Sequence, residues 1–216
     1  MSESQPLRID FVSDVVCPWC AVGLASLEQA LAALDGQVQA EIHFQPFELN
    51  PQMAPEGEDI AEHLGHKYGL NAAQLAQNQE AIRQRGAAVG FTFANQDKRR
   101  IYNTFDAHRL LHWAEAAGRQ HALKRALLVA YFTDGRDVSN HEVLADVAGS
   151  VGLDVVEARA VLASDRYAED VRGDEQFFLR AGIRSVPAVI VNRQHLISGG
   201  QPPEVFEQAL RQIAGS

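Results

Sequence analysis

The chain has only two cysteines, Cys17 and Cys20, and they stand three positions apart. A framework disulfide closing so small a loop would restrain little of the unfolded chain, so structural stapling is excluded and any use of the pair is chemical. Long apolar runs are missing as well. The longest, Ala126 to Phe132, is far too short to cross a bilayer. Residues Met1 to Phe11 have no basic segment followed by an apolar one and no small-residue cleavage site, so no secretory signal is expected. The expected setting is therefore cytoplasmic, where disulfides are usually transient and catalytic. Positive charge is scarce: 19 Lys and Arg face 28 Asp and Glu, a net charge of −9, and the only lysines are Lys67, Lys98 and Lys124. Such a chain is repelled by phosphate backbones and anionic lipid, which removes nucleic acid and membrane from the expected partners. Repeats and low-complexity segments are absent.

What is present is a globular composition. With 216 residues, 46% hydrophobic and 22% charged, the chain suffices for one domain, or for a small domain carrying a large insertion. Leu7 to Val12 runs apolar as a buried strand does. Cys17 then opens a helical stretch, Ala21 to Leu34, with Leu24, Leu27, Leu31 and Leu34 on one stripe. Asp35-Gly36 stops it, and Val38 to Phe44 alternates as a second strand, so the start is a βαβ unit with a parallel pair.

After the proline-bearing loop Gln45 to Glu58 the pattern changes. From Asp59 to about Leu179 the expectation is helix without strand: Ile60–Tyr68, Ala72–Val89, Ile101–Ala117, His121–Phe132, Asn140–Val151, Val155–Ala163 and Tyr167–Ala181. Ser139 and Asp154 are expected as N-caps, and Gly118, Gly135 and Gly152 as helix ends. Strand pattern returns at Ala188–Val191 and His195–Ser198 across a turn at Asn192-Arg193-Gln194, and Pro203–Ile213 closes the chain as a helix. The predicted fold class is α/β, βαβ … αββα, interrupted by a large helical insertion. Residues 1–58 and 182–216 form one discontinuous domain and 59–181 the insertion, whose last helix leads back into it.

Cys17-Pro18-Trp19-Cys20 falls just after a strand and at the first turn of a helix. The spacing lets the two sulfurs reach each other, and the free amides and dipole of a helix N-terminus stabilise a thiolate there. Pro18 suits the first helical position. Cys17, nearer the end and more exposed, is the expected attacking thiolate, and Cys20 the resolving thiol. A zinc site would need two further ligands; no second cysteine pair exists, and His108 and His112, four apart on a helix, have a spacing that more often marks an ordinary solvated or partly buried helix face. The expectation is no metal.

CPWC after a first strand, with Ser185-Val186-Pro187 before a late one, resembles the thioredoxin fold, and the helical block between the halves resembles the DsbA family. More narrowly, Ser13–Cys20, Phe47-Glu48-Leu49-Asn50-Pro51, Asn103-Thr104 with Ala107-His108-Arg109, and Ser198-Gly199-Gly200-Gln201-Pro202-Pro203-Glu204 are similar to the FrnE-like branch, which is related to 2-hydroxychromene-2-carboxylate isomerases and kappa-class glutathione transferases. The resemblance covers nearly the whole chain. It implies a thioredoxin-like fold and a cis Val186–Pro187 bond lying against Cys17, with Val186 offering its backbone to an extended substrate. It also implies support of the cysteines by Pro18 and Trp19. Trp19 stands where the secreted oxidants of the family carry His, so a weaker oxidant is expected. Asp14, three residues before Cys17, either tunes ionisation or caps its loop. Phe47, His108 and Arg109 are candidates for the cleft, with a structural ion pair or cap as the other reading of the last two. Trp113 and Phe105 are expected in the core, and Gly199-Gly200 in a tight connection rather than a phosphate cradle.

The function implied is thiol–disulfide exchange on a disulfide- or thiol-containing protein or small molecule. No cofactor is required, and glutathione is a candidate electron partner or co-substrate. Two alternatives stay open: a glutathione-dependent isomerase or transferase, whose relatives typically carry Ser at the first CxxC position, and a binding protein with the CxxC as a redox switch. Whether the chain is a monomer or a dimer is open too.

Overall fold

The computed structural model describes residues 6–94 and 99–215. Residues 1–5, part of the segment expected to hold no leader, and Lys98 lie outside the described residues. The strand β1 (Leu7–Ser13) is buried on both faces because it is central: the sheet order is β2-β1-β5-β6, with β2 at Ala40–Pro46, β5 at Ala188–Val191 and β6 at His195–Ser198. β1 pairs parallel to β2 with Phe11 opposite Phe44, and antiparallel to β5 with Phe11 opposite Val189. β5 and β6 form a hairpin, its turn made by Asn192 and Arg193 at φ 52° and 58°, the left-handed values that a tight hairpin turn demands. Strands from the two ends of the sequence thus complete one sheet. The only charged side chain buried in β1, Asp10, is satisfied by Arg8 Nε and Nη2 at 3.1 and 2.7 Å and by Gln45 Nε2 at 2.7 Å.

Helix α1 (Pro18–Ala33) follows β1 and ends before Gly36, whose φ is 74°. Between β2 and β5 come β3 (Glu58–Asp59), α2 (Ile60–Tyr68), α3 (Ala72–Ala88), β4 (Arg100–Ile101), α4 (Phe105–Ala116), α5 (Gln120–Phe132), α6 (His141–Ser150), α7 (Val155–Leu162) and α8 (Ala168–Arg180); α9 (Pro203–Ala214) ends the chain. The apolar core is continuous from the sheet (Ile9, Phe11, Val189) through α1 (Leu24, Leu27) to the helices (Leu110, Leu127, Leu144). Each such side chain contributes roughly 1.5–3 kcal/mol on burial. Helix α1 also packs on α9, while α5 and α8 reach β2.

Three expectations need correction. The block between β2 and β5 is not free of strand: β3 and β4 pair antiparallel, Glu58 opposite Ile101 and Asp59 opposite Arg100. Two residues each, mostly charged, leave no alternation to read. Consequently α4 begins at Phe105 rather than Ile101; Asn103 Oδ1 accepts the Phe105 N–H at 3.0 Å, which starts the helix there. The cap of α6 is Asn140, accepting from Glu142 and Val143, whereas the Ser139 hydroxyl donates to Asp137 at 2.6 Å. Asp154 caps α7, and Gly118, Gly135 and Gly152 adopt φ of 63°, 68° and 83°. No helix among the described residues is long and apolar enough to cross a membrane.

Candidate active site

Cys17 is the N-cap of α1. Its backbone is extended (φ −92°, ψ 113°), Pro18 occupies the first helical position, and the first turn carries no acidic residue to oppose an anion. Cys17 Sγ accepts the Cys20 N–H at 3.3 Å, so the helix amides already point at the sulfur. The same thiol faces Val186 O at 3.8 Å, and the Val186–Pro187 bond is cis. The exposed member of the motif is Trp19, at 38%; Cys17 is buried, only slightly less so than Cys20 (4% against 0%).

Glycine makes this approach close. A Cβ on Gly23 would lie 3.1 Å from Pro187 Cγ, and one on Gly200 would lie 2.8 Å from the Trp19 carbonyl oxygen. Gly199, at φ 82°, donates its N–H to Pro187 O at 2.8 Å. The Gly199-Gly200 connection therefore buttresses both the CxxC turn and the proline.

Beneath the sulfurs lies a buried polar group. Asp14 is completely buried, with Oδ1 accepting Val15 N–H at 2.7 Å and Oδ2 accepting Leu49 N–H at 2.8 Å. Its Oδ1 is also 3.4 Å from His108 Nε2. Burial alone would raise its pKa, but the His108 ring, the Leu49 amide and the Thr104 hydroxyl together hold it below the ordinary carboxylate value. Asp14 is thus a loop cap whose free edge faces the His108 ring. Burial pushes the Cys20 thiol well up, with its hydrogen bond to Cys17 and that sulfur's charge adding to the effect; the Lys124 charge opposes it. Lys124, fully buried on α5, is itself pulled down by burial, against the charges of Cys20, Asp14 and Cys17 that favour its ammonium form. A narrow cavity of about 10 Å³, lined by Phe44, Pro46, His108, His112, Lys124 and Asp174, opens beside it.

Phe47 and Val186 both pack against the buried cluster of Val12, Phe178, Ile183 and Ala188. Its neighbour Glu48 is buried and bound to Arg172, which also holds Glu175 at 2.8 Å; burial raises the Glu48 pKa, the Arg172 hydrogen bond works against that, and Glu175 adds to the rise. His108 belongs to the site floor through Asp14. Arg109 does not reach it: its guanidinium binds Asp106 and the carbonyls of Val161, Leu162 and Ser164, capping the end of α7. Of the two readings of Arg109, the contacts favour the structural one, an ion pair with Asp106 and a cap on the carbonyls that end α7. His112 turns to Asp174 at 3.7 Å. Phe105 lies under the Arg172 guanidinium at 3.8 Å, and Trp113 packs at the edge of the core. Lys124 escaped the sequence reading, although one lysine on the 124-127-128-131 stripe of an otherwise apolar helix face was the available signal.

The family model for the DSBA-like thioredoxin domain matches residues 8–211. A probable DsbA oxidoreductase from Streptomyces coelicolor has a solved structure that superposes with a TM-score of 0.91 at 39% identity, covering 97% of this chain and 91% of that one. The chain is 25% identical to the uncharacterised protein YwbO of Bacillus subtilis over 94% of its own length and 96% of the other's. The structure of the cytosolic disulfide reductase DsbM from Pseudomonas aeruginosa with GSH is similar in fold, with a TM-score of 0.67 and 16% identity over 97% and 100% of the two chains. The chain belongs to the DsbA-like thioredoxin family, and the resemblance in its motifs and its α/β fold are borne out.

Proposed function

We propose that the protein is a thiol–disulfide oxidoreductase whose nucleophile is Cys17 and whose resolving thiol is Cys20. The observation that carries this reading is the Cys17 sulfur itself: it sits on the α1 N-terminus, 3.3 Å from the Cys20 amide and 3.8 Å from Val186 O beside the cis proline. The Cys17 thiolate attacks a substrate disulfide, forming a mixed disulfide and expelling one substrate thiolate, which takes up a proton. Cys20 then loses its proton and attacks Cys17 Sγ, releasing the second substrate thiol and closing the protein disulfide. In the second step the buried Lys124 charge lowers the cost of the Cys20 thiolate, and Asp14 with His108 holds the CxxC loop against Leu49. An extended substrate lies along Val186, with the half-buried Phe47 as its apolar wall.

No metal or organic cofactor enters this scheme. Glutathione serves as electron partner in a cytoplasmic setting, a reading supported by the fold it shares with the glutathione-bound DsbM structure. Glutathione-dependent isomerisation finds less support, because a buried resolving thiol one helical turn behind Cys17 has no use in it. With Trp19 uncharged, we place the potential between the strong oxidants and the reductants of the superfamily. A redox titration in graded reduced and oxidised glutathione, with acid-trapped thiols counted, gives one reversible two-electron transition on this reading; a pair that never closes contradicts it.

A further inference from the structure

Beside Trp19 stands a positive charge that pairs with no carboxylate among the described residues. Arg85, in the last turn of α3, places its guanidinium carbon 6.0 Å from the centre of the Trp19 ring and donates from Nη2 to Gly200 O at 3.0 Å. Gly200 in turn presses on the Trp19 carbonyl, and Gly199 donates to Pro187. Arg85 is therefore anchored to the loop that abuts both the CxxC turn and the cis proline. Most arginines here are tied to a carboxylate, Arg8, Arg109, Arg159 and Arg172 among them. Among the ion pairs of the described residues, Arg85 takes part in none.

We propose that Arg85, held by Gly200 and Trp19, is an anion subsite that selects thiol substrates carrying a carboxylate near the sulfur. The inference rests on the thiol–disulfide reading above. A chain of net charge −9 repels an anionic thiol at long range, and an unpaired guanidinium at the mouth of the site offsets that locally. One nitrogen is engaged by Gly200, which leaves the other N–H groups of the fork for a carboxylate. The ring of Trp19 keeps the fork in place.

Glutathione is the probe. Its thiolate attacks Cys17 Sγ of the oxidised pair, forming a Cys17–glutathione disulfide and expelling Cys20 as a thiolate that takes a proton. A second glutathione thiolate attacks the bound glutathione sulfur and releases glutathione disulfide and the Cys17 thiolate. Two thiols are oxidised and one protein disulfide is reduced.

The test measures rate constants for reduction of the oxidised protein by glutathione, by neutral 2-mercaptoethanol and by cationic cysteamine, each at equal thiolate concentration. In Arg85→Met the ratio of the glutathione to the mercaptoethanol constant falls about two- to five-fold, the range of a partly exposed ion pair. The cysteamine to mercaptoethanol ratio rises, added salt narrows both changes, and Arg85→Lys keeps most of the wild-type preference. Ratios unchanged in Arg85→Met overturn the subsite while leaving thiol–disulfide exchange standing. If no thiol reduces the wild-type protein, exchange itself falls, and the subsite with it.

Discussion

The thiol of Cys17 and the carbonyl oxygen of Val186 face each other at 3.8 Å across 169 positions of sequence. Neither flank of the helical block builds the site alone: β1 and α1 deliver the sulfur, and the segment entering β5 delivers the backbone edge beside it. Everything proposed for the protein depends on that meeting, and the following outcomes are expected from it.

Lys124→Met slows resolution rather than attack. The Lys124 charge eases formation of the Cys20 thiolate, whose pKa burial has raised. When the reduced protein is mixed with glutathione disulfide and quenched with acid, the variant accumulates the Cys17 mixed disulfide. Its conversion to the internal disulfide is about ten-fold slower, equivalent to ~1.4 kcal/mol. Equal lifetimes in variant and wild type would remove Lys124 from the mechanism.

Asp14→Asn destabilises the fold by roughly 1–3 kcal/mol at neutral pH, the range for leaving a buried donor unsatisfied, because the new amide nitrogen would face the Val15 or the Leu49 N–H. The folded pKa of Asp14 lies below its ordinary value of 3.8, so its ionised form stabilises the native state. That contribution is complete above the ordinary value and is lost as pH falls through the folded one. Urea midpoints of the two proteins therefore converge in acid, below about pH 4. A gap that stays constant through acid would assign the loss to packing instead.

How much of this was legible in the sequence follows from range. The strand–CxxC–helix unit, the β5–β6 hairpin and the caps at Asp154 and Gly152 were readable because their signals lie within a few residues. The β3–β4 pair was not, since two charged residues opposite two others have no periodicity. Arg109 stood at a family-like position, yet its partners are the carbonyls of α7, which no local pattern announces. Lys124 and Arg85 acquire meaning only from tertiary packing: one helix of the block is folded behind the sulfurs and another beside Trp19.

Gly200→Ala pushes the connection before α9 away from the CxxC turn. The added Cβ would stand 2.8 Å from the Trp19 carbonyl oxygen, a backbone atom that cannot swing aside. Overpacking of this kind costs about 1–3 kcal/mol, and the shift separates Pro187 from Cys17, so exchange with a model peptide disulfide slows along with the loss of stability. A fully active Gly200→Ala protein of wild-type stability would show that the buttress is dispensable.

The most direct test of the central claim is covalent capture. With Cys20→Ser, the account predicts that Cys17 retains disulfide-linked partners or glutathione, released by reductant, and that the Cys17→Ser/Cys20→Ser double variant retains none. Absence of any adduct in the single variant, or equal capture by the double variant, would contradict disulfide exchange through Cys17.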